Sequence, residues 1–185
     1  MTAARRVPGQ PDMWVFVFFE SLIFTSYFCV YLVNRTHHAA EYLAAQTHLS
    51  LGLGVLGTVV LLTSSWAAAH CVQLARADRP EVALRYAWAT ALLGAGFLGI
   101  KVTEWTRLVH AGHTFSSSPF FTYYFFLTAI HFVHVLIGFV VIGVLIAQLR
   151  KAAGRSQVIV ETCATYWHTV DFYWVMIFAL LYVVR

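Results

Sequence analysis

The sequence predicts an all-α integral membrane protein, a bundle of five transmembrane helices. Three observations predict it. Apolar side chains make up 60% of the 185 residues and charged ones only 11%. Mean hydropathy is +0.72, far from soluble averages. The charges cluster between long apolar runs, each near or above the ~20 residues that cross a bilayer as helix. Lipid offers the backbone no hydrogen-bond partners, so only self-satisfied structures span it, and these runs are too long and too continuously apolar for barrel strands.

The first span is expected from Met13 to Val33, the second from Ser50 to Leu74 and the third from Leu84 to Leu108. The fourth covers Phe120 to Leu149 and the fifth Thr162 to Val184. Residues 1–12 form an N-terminal segment that reads as part of a retained anchor, because Arg5 and Arg6 are followed by no small-residue cleavage site. Residues 13–185 form one transmembrane domain whose short connections leave no room for a further one. Gly52, Gly54 and Gly57 in the second span, and Gly94, Gly96 and Gly99 in the third, are expected to let helix backbones approach closely. Cys29, Cys71 and Cys163 stand singly, without metal-like spacing, and read as small buried hydrophobes.

Loop charges set the expected orientation. With the N-terminus inside, Arg5, Arg6, Arg76, Arg79, Arg85, Arg150, Lys151 and Arg155 are cytoplasmic, against Arg35, Arg107 and Arg185 outside, eight to three. The N-terminus is therefore expected in the cytoplasm and the C-terminus external, in the cell's inner (plasma) membrane. The formal net charge of +4 reflects these loop arginines, and no basic-aromatic patch points to nucleic acid.

A charged group in hydrocarbon costs at least ~2.5–3.5 kcal/mol, so each one inside a span needs a partner. Glu20 lies seven residues into the first span, roughly 10 Å deep at 1.5 Å per residue, among Phe18, Phe19, Leu22, Ile23 and Phe24. It is either a proton-handling group or a structural hydrogen-bond donor to a neighbouring helix. Lys101 and Glu104 are i,i+3 on the third helix and read as a structural ion pair. His131 and His134 repeat that spacing in the fourth helix, and His168 and Asp171 in the fifth, where the carboxylate can orient the imidazole. His70 closes the second helix. Two imidazoles at i,i+3 can share a metal, and His-bearing helices can sandwich a haem. No further carboxylate or thiolate completes a ligand set, so the histidines read as helix-to-helix hydrogen-bond partners.

Two segments carry a resemblance. Residues 125–138, FFLTAIHFVHVLIG, are similar to the penultimate-helix signature of cytochrome c oxidase subunit III, and residues 166–174, YWHTVDFYW, resemble that family's final-helix signature. Glu20, the Leu62–Ser65 run with His70, and Gly96-Phe97 with Lys101 and Glu104 extend the resemblance over nearly the whole chain after Asp12. Typical members have seven helices, and these look like the last five. Ala129, Thr169 and Lys101 depart from the usual Gly, Phe and Gln. The length and the Gly96–Glu104 pattern look more like the short NorE-type proteins associated with nitric oxide reductase.

The resemblance implies an accessory subunit of a haem-copper-type respiratory complex, a terminal oxidase or a nitric oxide reductase, without a catalytic site or redox cofactor of its own. Haem and copper or iron would then sit in its partner, catalytic subunit I, while this chain supports assembly, binds membrane phospholipids and sustains proton uptake. It further implies that Glu20 is the buried carboxyl the family is known for, reactive with hydrophobic carbodiimides, and that Lys101, Glu104, His131, His134, His168 and Asp171 form an internal polar network. Two rivals stay open: a small membrane haem- or metal-binding protein using the histidines, and a proton-coupled transporter built around Glu20.

Overall fold

Prolines and serines mark where the helices begin. In the computed structural model, which describes residues 9–151 and 154–184, prolines open α1 (Pro11–His37), α4 (Pro80–His110) and α5 (Pro119–Leu149). Proline suits a first turn because its fixed φ is already helical and the N–H it lacks would have had no partner there. Ser50, Ser118 and Ser156 cap α3 (Leu51–Arg76), α5 and α6 (Gln157–Phe178), each hydroxyl accepting from the backbone N–H three residues on. A short α2 (Ala39–Gln46) follows α1, and a π turn, Ala179–Val183, follows α6.

Among the described residues, six α-helices therefore replace the five expected. The additional one, α2, has 8 residues, about 12 Å of helix, and is too short to cross a bilayer. Among the described residues four helices, α1, α3, α4 and α5, are long and apolar enough to do so, with 27, 26, 31 and 31 residues. The expected fifth span is present as α6 and the π turn, and it carries the ionisable His168 and Asp171 in its interior. It tolerates that polarity through its place in the bundle, packed against α1, α3 and α5.

Hydrogen bonds define the two ends of the bundle. At one, the Gly9 and Gln10 amides that precede α1 donate to Glu161 and Thr162 at the start of α6, and Arg76 at the end of α3 donates to Glu161 Oε1 at 2.9 Å. Arg155 reaches back to the Ala75 carbonyl and, at 2.8 Å, to Asp78, which holds a left-handed φ of 52° in the α3–α4 turn. At the other end, Gln46 of α2 donates to the carbonyls of Leu181 and Val184, both at 3.0 Å. α6 and its π turn thus run the length of the bundle, in the same direction as α1. Arg5, Arg6 and Arg185 lie outside the described residues. Arg35, assigned by its sequence to a loop, is part of α1 and is buried beside the Tyr31 hydroxyl.

Glycine is used selectively. A Cβ at Gly138 would stand 2.6 Å from the Trp167 ring, and one at Gly94 2.9 Å from the same ring, so the two glycines of α5 and α4 make the slot that this indole fills. Gly54 likewise makes room for Tyr182. Gly52 and Gly99 face open space, so the expectation of close approach fails there. Of the three free cysteines, Cys71 and Cys163 are buried as expected, but Cys29 is exposed on the outer face of α1.

Candidate functional site

The seven candidate residues fall in separate places rather than in one network. The first is an acid–base pair between α1 and α5. His134 Nε2 lies 3.0–3.1 Å from the two carboxylate oxygens of Glu20, 114 residues away in sequence. His134 Nδ1 lies 2.8 Å from the Ile130 carbonyl, which can only accept, so Nδ1 carries the proton of this bond. Nε2 must then either accept from a protonated Glu20 or, as imidazolium, donate to the carboxylate. One proton is shared either way, and the pair can pass it between its members without moving a heavy atom.

Aromatic rings brace this pair from the inner side. Phe24 meets His134 edge-on at 5.4 Å and stacks on Tyr173 at 4.2 Å, while the Tyr166 hydroxyl donates to the His134 carbonyl at 3.3 Å. The outer side is open: Phe18, Phe19, Leu22 and Ile23 of α1 and Val133 and Ile137 of α5 project outward, away from the bundle. The pair's own side chains keep 16% and 17% of their surface accessible. It is a surface site whose surroundings are apolar.

The second place is deep. Lys101 Nζ lies 2.7 Å from Glu104 Oε2, and both side chains are 3% exposed. Two tyrosines complete the cluster. Lys101 donates to Tyr182 at 3.0 Å and to Tyr124 at 3.3 Å, and the Tyr182 hydroxyl donates to Glu104 Oε2 at 2.8 Å. The ammonium also lies 4.8 Å from the centre of the Trp174 ring, a cation–π contact in an interior where charge is otherwise poorly solvated.

His131 and His134 part company although they are one turn apart. His131 is buried against Trp174 at 5.3 Å and Phe97 at 5.6 Å, with neither ring nitrogen bonded to any of the described residues. The two imidazoles therefore do not converge on a shared ligand. His168 takes its partner from α3, its Nδ1 lying 2.6 Å from Ser65 Oγ, while the buried Asp171 carboxylate makes no hydrogen bond to it. His70 lies tilted against Trp66, with ring centres 4.2 Å apart. Among the described residues no three His, Cys, Asp or Glu side chains come together as a metal-ligand set.

Sequence reasoning did not find Tyr124 or Tyr182, and it met Ser65 only within the Leu62–Ser65 run, without its bond to His168. Tyr124 was within reach, because Tyr124, Thr128, His131, Val135 and Gly138 follow a three-to-four spacing and all are buried on one stripe of α5. Tyr182 was not, because the wider π turn rotates its side chain out of the α-helical register.

The family model for cytochrome c oxidase subunit III matches residues 9–184. The chain is 31% identical over 172 residues to quinol oxidase subunit 3 of Bacillus spizizenii, covering 91% of this chain and 83% of that protein. It is 30% identical over 176 residues to cytochrome c oxidase subunit 3 of Bacillus sp. (strain PS3), with 91% and 82% covered. Against cytochrome bo(3) ubiquinol oxidase subunit 3 of Pseudomonas aeruginosa the figures are 28% over 171 residues, 91% and 81%.

Proposed function

The chain belongs to the cytochrome c oxidase subunit III family, and from that premise we propose that it is the accessory membrane subunit of a haem-copper terminal oxidase. It is a multi-pass protein of the bacterial plasma membrane. In this reading it packs beside catalytic subunit I, which holds the haem and copper, and contributes assembly, phospholipid contacts and sustained proton uptake. All five long helices cross the membrane, with the N-terminus in the cytoplasm.

The observation that carries the proton role is the Glu20–His134 pair. One shared proton, fixed tautomer geometry at Nδ1 and an outward-facing apolar setting suit a group that holds a proton at the boundary between this chain and its neighbour. The partner is tested by purification in mild detergent. Co-purification of an oxygen-reducing catalytic subunit supports the reading, and recovery with a nitric oxide-reducing one moves the chain to the NorE-type branch.

Glu20→Gln tests the role of the pair itself, because it keeps the shape and a donor for Nε2 but removes titration. An assembled Gln complex should lose activity progressively over many cycles or shift its pH dependence. Normal sustained turnover in that complex would end the proton-handling reading and leave Glu20 as a packing residue. Orientation is tested by cysteine labelling from outside, which should reach a probe placed after Arg185 and miss one near Gly154.

A further inference from the structure

Lys101 and Glu104 are both almost fully enclosed by protein. Glu104 Oε2 is taken by Lys101 and Tyr182. Oε1 is buried and has no donor from the described protein, although the residue is only 2% exposed. A buried carboxylate oxygen left without a donor is costly, so its surroundings matter. Glu104 lines a cavity of about 230 Å³ whose other polar walls are His48, Ser50, Arg107 and His113. These residues lie at the α2 end of the bundle. Glu104 itself is six residues short of the end of α4, about 9 Å in. A cavity of this size with several polar walls is suited to a short file of water.

We propose that the Lys101–Glu104–Tyr182 cluster is a proton-accepting site connected through this cavity to the aqueous phase at the α2 end. A proton arriving on hydronium adds to Glu104 Oε1; the hydronium becomes water and the carboxylate becomes a carboxylic acid. Lys101 keeps its proton and its bonds to Tyr124 and Tyr182, so the cluster gains one positive charge, and release is the reverse. The charged and titratable groups around it come from the elements packed there: Lys101 on α4, Tyr124 and His131 on α5, Tyr182 on the π turn, and His48, Arg107 and His113 at the mouth.

Two features of the fold build the site. The π turn brings Tyr182 to Glu104, and Gly54 clears its path, since a Cβ there would stand 2.8 Å from the Tyr182 ring. The proposal concerns this chain alone, and the function of the Glu20–His134 pair does not enter it.

Infrared difference spectroscopy of the full chain in lipid nanodiscs tests it. The carbonyl band of a protonated carboxyl should grow as the pH falls, vanish in Glu104→Gln and change frequency in Tyr182→Phe, which removes the hydroxyl that donates to Oε2. The Tyr182 variant keeps the assignment secure if the Gln variant fails to fold. On dilution into heavy water the band should shift quickly. Ala111→Trp, an exposed position on the cavity wall, should slow that shift about tenfold, equivalent to ~1.4 kcal/mol of extra opening free energy. A pH-independent band, a band indifferent to Tyr182→Phe, or deuteration unchanged by Ala111→Trp would each overturn the proposal.

Discussion

Lys101–Glu104 and Glu20–His134 are both acid–base pairs held by helices, yet the first is 3% exposed and the second 16–17%. The deep pair is formed by neighbours on one helix and is then surrounded by Tyr124, Tyr182 and Trp174, so the bundle cannot close without satisfying it. The shallow pair joins residues 114 apart in sequence, on two helices, at an outward-facing apolar face of the chain. A charge placed deep in apolar protein becomes a condition of folding. A charge at an apolar edge remains available to whatever lies outside.

The sharpest test of that contrast is to orphan one partner of the deep pair. Glu104→Leu leaves the Lys101 ammonium uncompensated and should cost about 3–5 kcal/mol, whereas the double variant Lys101→Met/Glu104→Leu should recover most of the loss. Unfolding in denaturant, followed by circular dichroism, measures both. A double variant as unstable as the single would mean that packing, rather than charge pairing, governs this region.

Next in size is the slot for Trp167. Gly138→Ala forces a methyl to within 2.6 Å of the indole and should cost about 1–3 kcal/mol in the same assay. Gly99→Ala, which meets nothing within 4 Å, is the control and should leave stability unchanged or slightly raised. Equal effects at the two positions would show that the slot gives way.

Glu20→Ala should fall lower, at about 1 kcal/mol, the cost of leaving His134 Nε2 without its partner in a setting that is partly open. A loss as large as that of Glu104→Leu would erase the distinction between the deep and shallow pairs.

The smallest effect belongs to Glu161, just ahead of the apolar stretch of α6. Burial raises its pKa most, but the hydrogen bonds and charge of Arg76, together with Gln157 and the Gly9 amide, outweigh it and hold the carboxyl below its ordinary 4.5. A folded value below the unfolded one means the contribution is fully present above pH 4.5 and is lost as the pH falls through the lower folded value. With Arg76 half-exposed, the loss should stay under about 1 kcal/mol. Melting temperature measured from neutral to acid pH should lose this small component in Glu161→Gln, and an unchanged profile would remove the pair from the account.

Much of this protein follows from local sequence. Apolar run length specifies the long helices, because lipid leaves the backbone no alternative partner. Prolines and serines place their starts, and the i,i+3 spacing of Lys101 and Glu104 already implies their pairing, since three residues of helix bring the side chains together. The same spacing only permitted a shared ligand at His131 and His134, whose imidazoles reach different helices, and it suggested Asp171 as the partner of His168, which bonds Ser65 instead. A shared helical face permits contact, but neighbouring helices decide whether it is made.

Only tertiary structure could reveal the Glu20–His134 pair, the Trp167 slot and the place of Tyr182. Each depends on which helices lie side by side, and that follows from close packing among residues far apart in the chain. α2 was missed because eight residues between two spans carry too little periodicity to stand out. α6 is recognisable as a helix from its sequence, but only its position against α1, α3 and α5 explains how His168 and Asp171 are accommodated in it. Lipid could not accommodate them at that cost, whereas a helix enclosed by protein can.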